Sequence, residues 1–191
     1  MHPGPWSIEG ATRLGAMLRE LHEASASFVA PADANWLSWD ARELGDARRV
    51  IGHCDLGPWN IVARDGLPVG FIDWEFAGPV NPVVELAEVC WLNAKLHDDQ
   101  VAKLEGLPAL EVRAEQMRAM VDAYGLEDTD RARFIDWMVE FILIDVAWEA
   151  DEANVTPLTT EHPVGLWAMA WRARAGRWIL KNRQVLEHVL R

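Results

Sequence analysis

The chain has 191 residues and a mass of 21.5 kDa, half of them hydrophobic and 25% charged, which is room for one well-filled core and excludes a disordered or fibrous protein. A formal net charge of -12 argues against nucleic acid and anionic membrane as partners, since both need a basic face, and fits a cationic small molecule better. Cys54 and Cys90 form no C-x-x-C pair, so neither a disulfide framework nor a thiolate zinc site is expected, and a reduced cytoplasmic protein is.

The opening "MHPGPWSIEG" lacks a charged segment followed by an apolar run, so no secretion signal is expected. Ser7 reads as an N-cap, and Ile8, Ala11, Leu14, Leu18, Leu21 and Ser25/Phe28 form a helical stripe to about residue 27. Residues 29–48, with Pro31, Trp36, Trp39 and Gly45, keep no period and read as a structured connection. Two short strands are expected near 60–64 and 68–73, joined at "RDGLP" as a hairpin. Asn81 and Pro82 then look like an N-cap and first helical residue, opening a helix through "VVELAEVCWLNAKL".

From there the text is helical, with helices expected near 109–124, 129–151 and 164–189. The most apolar stretch, "FIDWMVEFILIDVAW", is interrupted by Asp136, Glu140 and Asp145, so it is not expected to span a membrane. Trp167, Trp171 and Trp178 share one face at about 100° per residue and read as a core-facing stripe. Arg172, Arg174 and Arg177 read as the wet side of the last helix. Eleven Trp in all imply a substantial core or an aromatic-lined site.

The chemistry concentrates in "RVIGHCDLGPWNIVARDGLPVGFIDWEF", residues 49–76. His53, Asp55 and Asn60 form H-x-D-x-x-x-x-N, and a hairpin behind them ends in Asp73. Such a loop can gather two carboxylates and an amide oxygen at the strand ends. Hard oxygen ligands in small number suit Mg²⁺, which keeps waters and is completed by substrate phosphates. One carboxylate would remain to orient or deprotonate a hydroxyl.

His53-Cys54-Asp55-Leu56-Gly57-Pro58-Trp59-Asn60-Ile61, followed by Ile72-Asp73-Trp74-Glu75, resembles the catalytic core of the aminoglycoside phosphotransferase and choline kinase-like family, relatives of the protein kinases. The family pattern is H-G-D-L-x-x-x-N, then a strand, a turn and I-D-[WF]-[ED]. "LGAMLRELHEA" and "GPVNPVVELAEVCW" resemble the flanking segments, so the likeness covers residues 6 to about 95, and the rest only in style. It implies an α+β, mainly α fold: a protein-kinase-like C-terminal lobe in one domain, 1–191. Within it would lie a leading helix (1–28), a catalytic loop and metal-binding hairpin (49–76) and a helical substrate subdomain (82–191).

The same resemblance implies that Asp55 is the base, that Asn60 and Asp73 hold Mg²⁺ against the phosphates of ATP or GTP, and that His53 supports the loop. Acidic residues of the C-terminal helices, here Asp145 and Glu149, would meet a cationic acceptor; the alternative is that Asp145 is a buried, hydrogen-bonded carboxylate. Trp59 and Trp74 flank the site and either stack on a ligand or pack in the core. Two mild departures are Cys54 for Gly and Glu85 for Asp. A larger one is that no G-x-G-x-x-G and no lysine precede His53, so the N-terminal nucleotide lobe is expected to be absent.

Two classes of function follow. One is transfer of the γ-phosphoryl to a hydroxyl of a small acceptor, aminoglycoside-like or otherwise. The other is a non-catalytic remnant that binds a ligand or forms a homodimer over the exposed cleft. A Cys54 nucleophile lacks an orienting third group. A two-metal phosphohydrolase lacks the extra histidines, because His22, His97, His162 and His188 show no ligand spacing.

Overall fold

Ser7 caps the first helix as its sequence position requires: its hydroxyl accepts from the Gly10 N–H at 3.0 Å, and α1 runs Ile8–Ser25. In the computed structural model, which describes residues 5–162 and 165–191, α1 lies against α4, Leu110–Tyr124. The two backbones approach closely at Gly15, where a Cβ would sit 2.1 Å from the Met120 carbonyl oxygen. Ala11, Leu14 and Leu18 of the expected stripe are fully buried. Ile8 and Phe28 are instead 48% and 55% exposed, because they stand at and beyond the helix ends, and His22 takes a buried place on that face.

The expected hairpin forms from β2, Ile61–Arg64, and β3, Leu67–Phe71, with Ile61 opposite Phe71. Asp65 and Gly66 both take positive φ, 52° and 77°, the pair a tight two-residue turn demands. A second antiparallel pair was not expected: β1, Val50–Gly52, lies beside β4, Gly78–Val80. Together the pairs clamp residues 53–60 between them. Before them, a short 3₁₀ turn at Asp40–Glu43 anchors the 29–48 connection, with Trp39 buried.

Asn81 caps α2, Pro82–Asn93, by accepting from the N–H groups of Val83 and Val84, with Pro82 at the first helical position. Val83 through Asn93 are all buried, so α2 is the central rod of the fold. Its polar residues Glu85, Glu88 and Asn93 are therefore buried too, and each needs a partner or a neutral form.

The remaining helices are more broken than their sequence implies. An unexpected α3, Asp99–Glu105, is capped by Asp98 and closed by Gly106 at φ 64°. The segment expected at 129–151 splits into α5, Asp128–Arg131, and α6, Phe134–Glu152. The segment at 164–189 becomes α7, Leu166–Lys181, and α8, Arg183–Val189, interrupted at Asn182; Pro163 and Val164 lie outside the described residues.

The tryptophan stripe holds in part: Trp178 is buried and Trp171 half-buried, whereas Trp167 is 57% exposed. Nor do the arginines of α7 all face water, since Arg174 pairs with Asp98 at 2.7 Å and Arg172 turns inward. The described residues are thus mostly helical with two small antiparallel pairs, an α+β fold. Among the described residues no helix is long and apolar enough to cross a membrane.

Candidate active site

Strand β1 delivers the chain to Gly52, where a Cβ would lie 2.0 Å from Glu85 Oε2, so only glycine fits. Beyond it the His53 and Cys54 N–H groups both donate to Glu85 Oε1, at 2.7 and 2.8 Å. The other carboxylate oxygen meets His22 Nε2 at 2.7 Å, and His22 Nδ1 meets the Tyr124 hydroxyl at 2.8 Å. A buried carboxylate on α2 therefore ties the loop to α1 and to the end of α4. Burial pushes Glu85 up, but the His22 hydrogen bond and charge and the Cys54 N–H outweigh it and hold the carboxyl below its usual range.

Cys54 has φ 64°, in the left-handed region. That conformation explains why the family pattern has Gly there, since a side chain at this φ is strained. The thiol is buried, and burial, with the Glu85 charge behind it, raises it well above the ordinary value, so it is no nucleophile.

The His53 ring is buried, its Nε2 donates to the Ile72 carbonyl at 2.8 Å, and it packs against the rings of Phe71 and Trp74. Burial lowers its pKa, so it stays neutral and acts as a brace between the loop and the end of β3.

Asp55 follows, half-buried, with its carboxylate fixed from two sides. Asn60 Nδ2 donates to Asp55 Oδ2 and to the Asp55 carbonyl, both at 2.8 Å, and Trp59 Nε1 donates to Oδ1 at 3.2 Å. Burial raises the carboxyl from 3.8 to about 6; the Trp59 and Asn60 hydrogen bonds oppose this, and the charges of Asp73 and Asp145 add to it. A carboxylate poised near neutrality is what a general base needs.

The Ile72 N–H donates to the Asn60 carbonyl at 3.0 Å, which brings the residue before Asp73 onto the Asn60 backbone at the mouth of the hairpin. Asp73 is exposed and held at φ 66°. Asn60 Nδ2 is committed to Asp55, and among the described residues its Oδ1 accepts no hydrogen bond, so it is free to coordinate. One carboxylate and one amide oxygen are hard donors of the kind that would hold Mg²⁺, with waters and phosphate oxygens completing the shell. Among the described residues no cluster of three or more His, Cys, Asp or Glu offers an all-protein metal cage.

Asp55 opens onto a cavity of about 240 Å³ walled by Trp39, Trp59, Trp148 and Trp171, with Glu88 at its base. Asp145 and Glu149 both reach it. Each pairs with Arg172, at 2.6 and 2.8 Å, so the expected acidic residues meet the cavity already partnered by a cation. Asp145 is 8% exposed, matching its alternative reading as a buried, hydrogen-bonded carboxylate. Glu88 is 4% exposed with Oε2 unpartnered among the described residues, and burial raises its carboxyl well above the usual range, so it is held protonated.

Trp74 is not part of this wall. Its ring lies 4.5 Å from that of His53, and it is 45% exposed.

Sequence reasoning missed Glu85 as the loop anchor, Glu88 as the cavity base and Arg172 as its cation. Two acids three residues apart inside the apolar run "VVELAEVCW" were the available signal. Residues 2–135 match the family described as the phosphotransferase enzyme family. The chain is also 51% identical over 190 residues to a trifolitoxin immunity protein of Rhizobium leguminosarum bv. trifolii, a match covering 100% of this chain and 72% of that protein. The family match spans well over half of the chain, and the chain belongs to the phosphotransferase enzyme family.

Proposed function

We propose that this protein, built like the C-terminal lobe of a kinase, transfers the γ-phosphoryl group of ATP or GTP to a hydroxyl of a small acceptor. The acceptor oxygen bonds to the γ-phosphorus and the bond to the β-phosphate oxygen breaks. The hydroxyl proton passes to Asp55, leaving a phosphomonoester and a nucleoside diphosphate. The observation that carries the reading is the Asp55 carboxylate, fixed by Asn60 and Trp59 at the edge of a partly open cavity and poised near pH 6.

Asn60 and Asp73 would hold Mg²⁺, which when bound neutralises the nucleotide phosphates. Asn60 thereby links the metal pair to the base through one amide, so the two are set at a fixed spacing. Asp55, Asp145 and Glu149 against the one guanidinium of Arg172, with Glu88 uncharged, leave the cavity acidic and make it suit a polar or cationic acceptor. The relative's name supports a toxin as that acceptor and protection from it as the outcome.

Calorimetric titration of ATP and GTP, with and without Mg²⁺, tests this. The expected result is Mg²⁺-dependent binding that Asp73→Asn weakens by at least tenfold. Binding indifferent to Mg²⁺ and to Asp73→Asn overturns the metal pair.

One observation favours a second reading, a non-catalytic module that associates with itself. Trp59, Val62, Val69, Ile72 and Trp74, all between 41% and 49% exposed, form an apolar band around the hairpin. On that reading, light scattering shows a concentration-dependent dimer that Val69→Asp with Ile72→Asp dissolves. A monomer throughout removes it.

A further inference from the structure

The cavity at Asp55 does not end at its aromatic wall. A second cavity, of about 350 Å³, shares Trp59, Leu92, Trp171 and Arg172 with it. A third and more open one, of about 500 Å³, shares Val101, Leu104 and Trp167 with the second. Sharing these walls, the three lie side by side in a row leading away from the base, along α7 and over α3.

The character of the row changes along its length. At the Asp55 end it is lined by carboxyl groups and indole rings. At the far end Leu104 is 84% exposed and Trp167 57%, with Gln100 and Lys103 of α3 as the polar side chains beside them. Leu104 on a seven-residue helix and Trp167 in the first turn of α7 are not needed to fill the core. An exposed indole beside an exposed leucine marks a contact surface.

We infer that the acceptor is amphipathic, with its hydroxyl-bearing part at Asp55 and an aromatic or aliphatic extension lying over Trp171 and Trp167 onto Leu104. The inference rests on the phosphoryl-transfer reading. Trp59 carries the argument from one end to the other, because the indole whose N–H holds Asp55 also walls the second cavity. An acceptor whose hydroxyl meets Asp55 lies against Trp59, and a substituent directed past that indole reaches the second cavity. The occupant named by this continuity is the acceptor itself rather than a second copy of the chain.

Methyl and 2-naphthyl β-glucoside serve as probes, since they share every hydroxyl and differ only in the extension. Calorimetry should show the naphthyl compound binding at least tenfold tighter. The double variant Leu104→Ser with Trp167→Ala, both exposed and so without consequence for folding, should remove that advantage and leave methyl glucoside binding unchanged. Equal affinities in the unaltered protein, no binding of the naphthyl probe, or an advantage that survives the double variant each overturn the inference. So does a dimer abolished by the double variant while the glucosides bind alike, which would assign the surface to a second copy. Failure of the transfer reading shows separately, as loss of Mg²⁺-dependent nucleotide binding, which neither probe affects.

Discussion

Replacing Asp55 by Asn lowers the rate of phosphoryl transfer by roughly 10²- to 10⁴-fold, the usual contribution of a positioned base, while Mg²⁺-dependent nucleotide binding persists. The variant keeps the shape of the side chain, its amide oxygen still accepts from one of Asn60 and Trp59, and Asn60 still donates to the carbonyl of residue 55, so the loop stays in place. What it loses is the proton acceptor. Single-turnover rates with the unaltered protein and the variant, each with nucleotide affinity measured alongside, check both halves. Retained turnover overturns the assignment of Asp55 as base, and lost nucleotide binding shows that the change has disturbed the metal pair instead.

The same residue sets a pH dependence whose sign can be worked out. Burial raises the Asp55 carboxyl from 3.8 in the unfolded chain to about 6 in the folded one. Its protonated form is therefore favoured by folding, and that contribution is lost as pH rises from 3.8 to about 6. Activity runs the opposite way, because only the ionised form accepts a proton, so kcat/KM falls as pH drops below about 6. At neutral pH the ionised carboxylate is a cost to stability, and Asp55→Asn should raise Tm even as it removes turnover. A lower Tm would contradict burial as the main cause of the shift.

How far the site could be read from sequence depended on how local each part of it is. Ser7, Asn81 with Pro82, and Asp65 with Gly66 act on the next two or three residues, and all form the caps and turn their chemistry implies. His53, Asp55 and Asn60 lie within one short loop, and Asp73 is brought back by a hairpin whose turn is visible in the text. The loop's support is not local. His22 and Glu85 are 63 residues apart and His22 and Tyr124 are 102 apart, and nothing in their own neighbourhoods announces the pairing.

Arg172 was misjudged for the same reason. Helical period alone put it beside Arg174 and Arg177 on a wet face, but two carboxylates on α6 draw it inward. The β1–β4 pair escaped because strands of three residues carry no usable alternation.

Replacing Glu85 by Ala should destabilise the fold by at least about 3 kcal/mol, since three buried groups each lose a hydrogen-bond partner at about 1–3 kcal/mol apiece. The change strands the His53 and Cys54 N–H groups and the His22 Nε2 in a space that water does not reach. It also frees Cys54 from the conformation at φ 64° that the carboxylate enforces, so Asp55 loses its position along with the stability. Urea unfolding measures the first effect.

Glu85→Gln separates the two, because its amide oxygen still accepts from the loop while the charge toward His22 is gone. The folded carboxyl lies below its ordinary 4.5, so its contribution is present above pH 4.5 and lost as pH falls through the lower folded value. The unaltered protein should therefore lose stability below pH 4.5 by a component that Glu85→Gln lacks. If the two acid limbs coincide, the His22–Glu85 pair is not what holds the loop; if they differ while Glu85→Gln keeps a native-like Asp55 pH profile, the carboxylate's hydrogen bonds position the base and its charge supplies only stability.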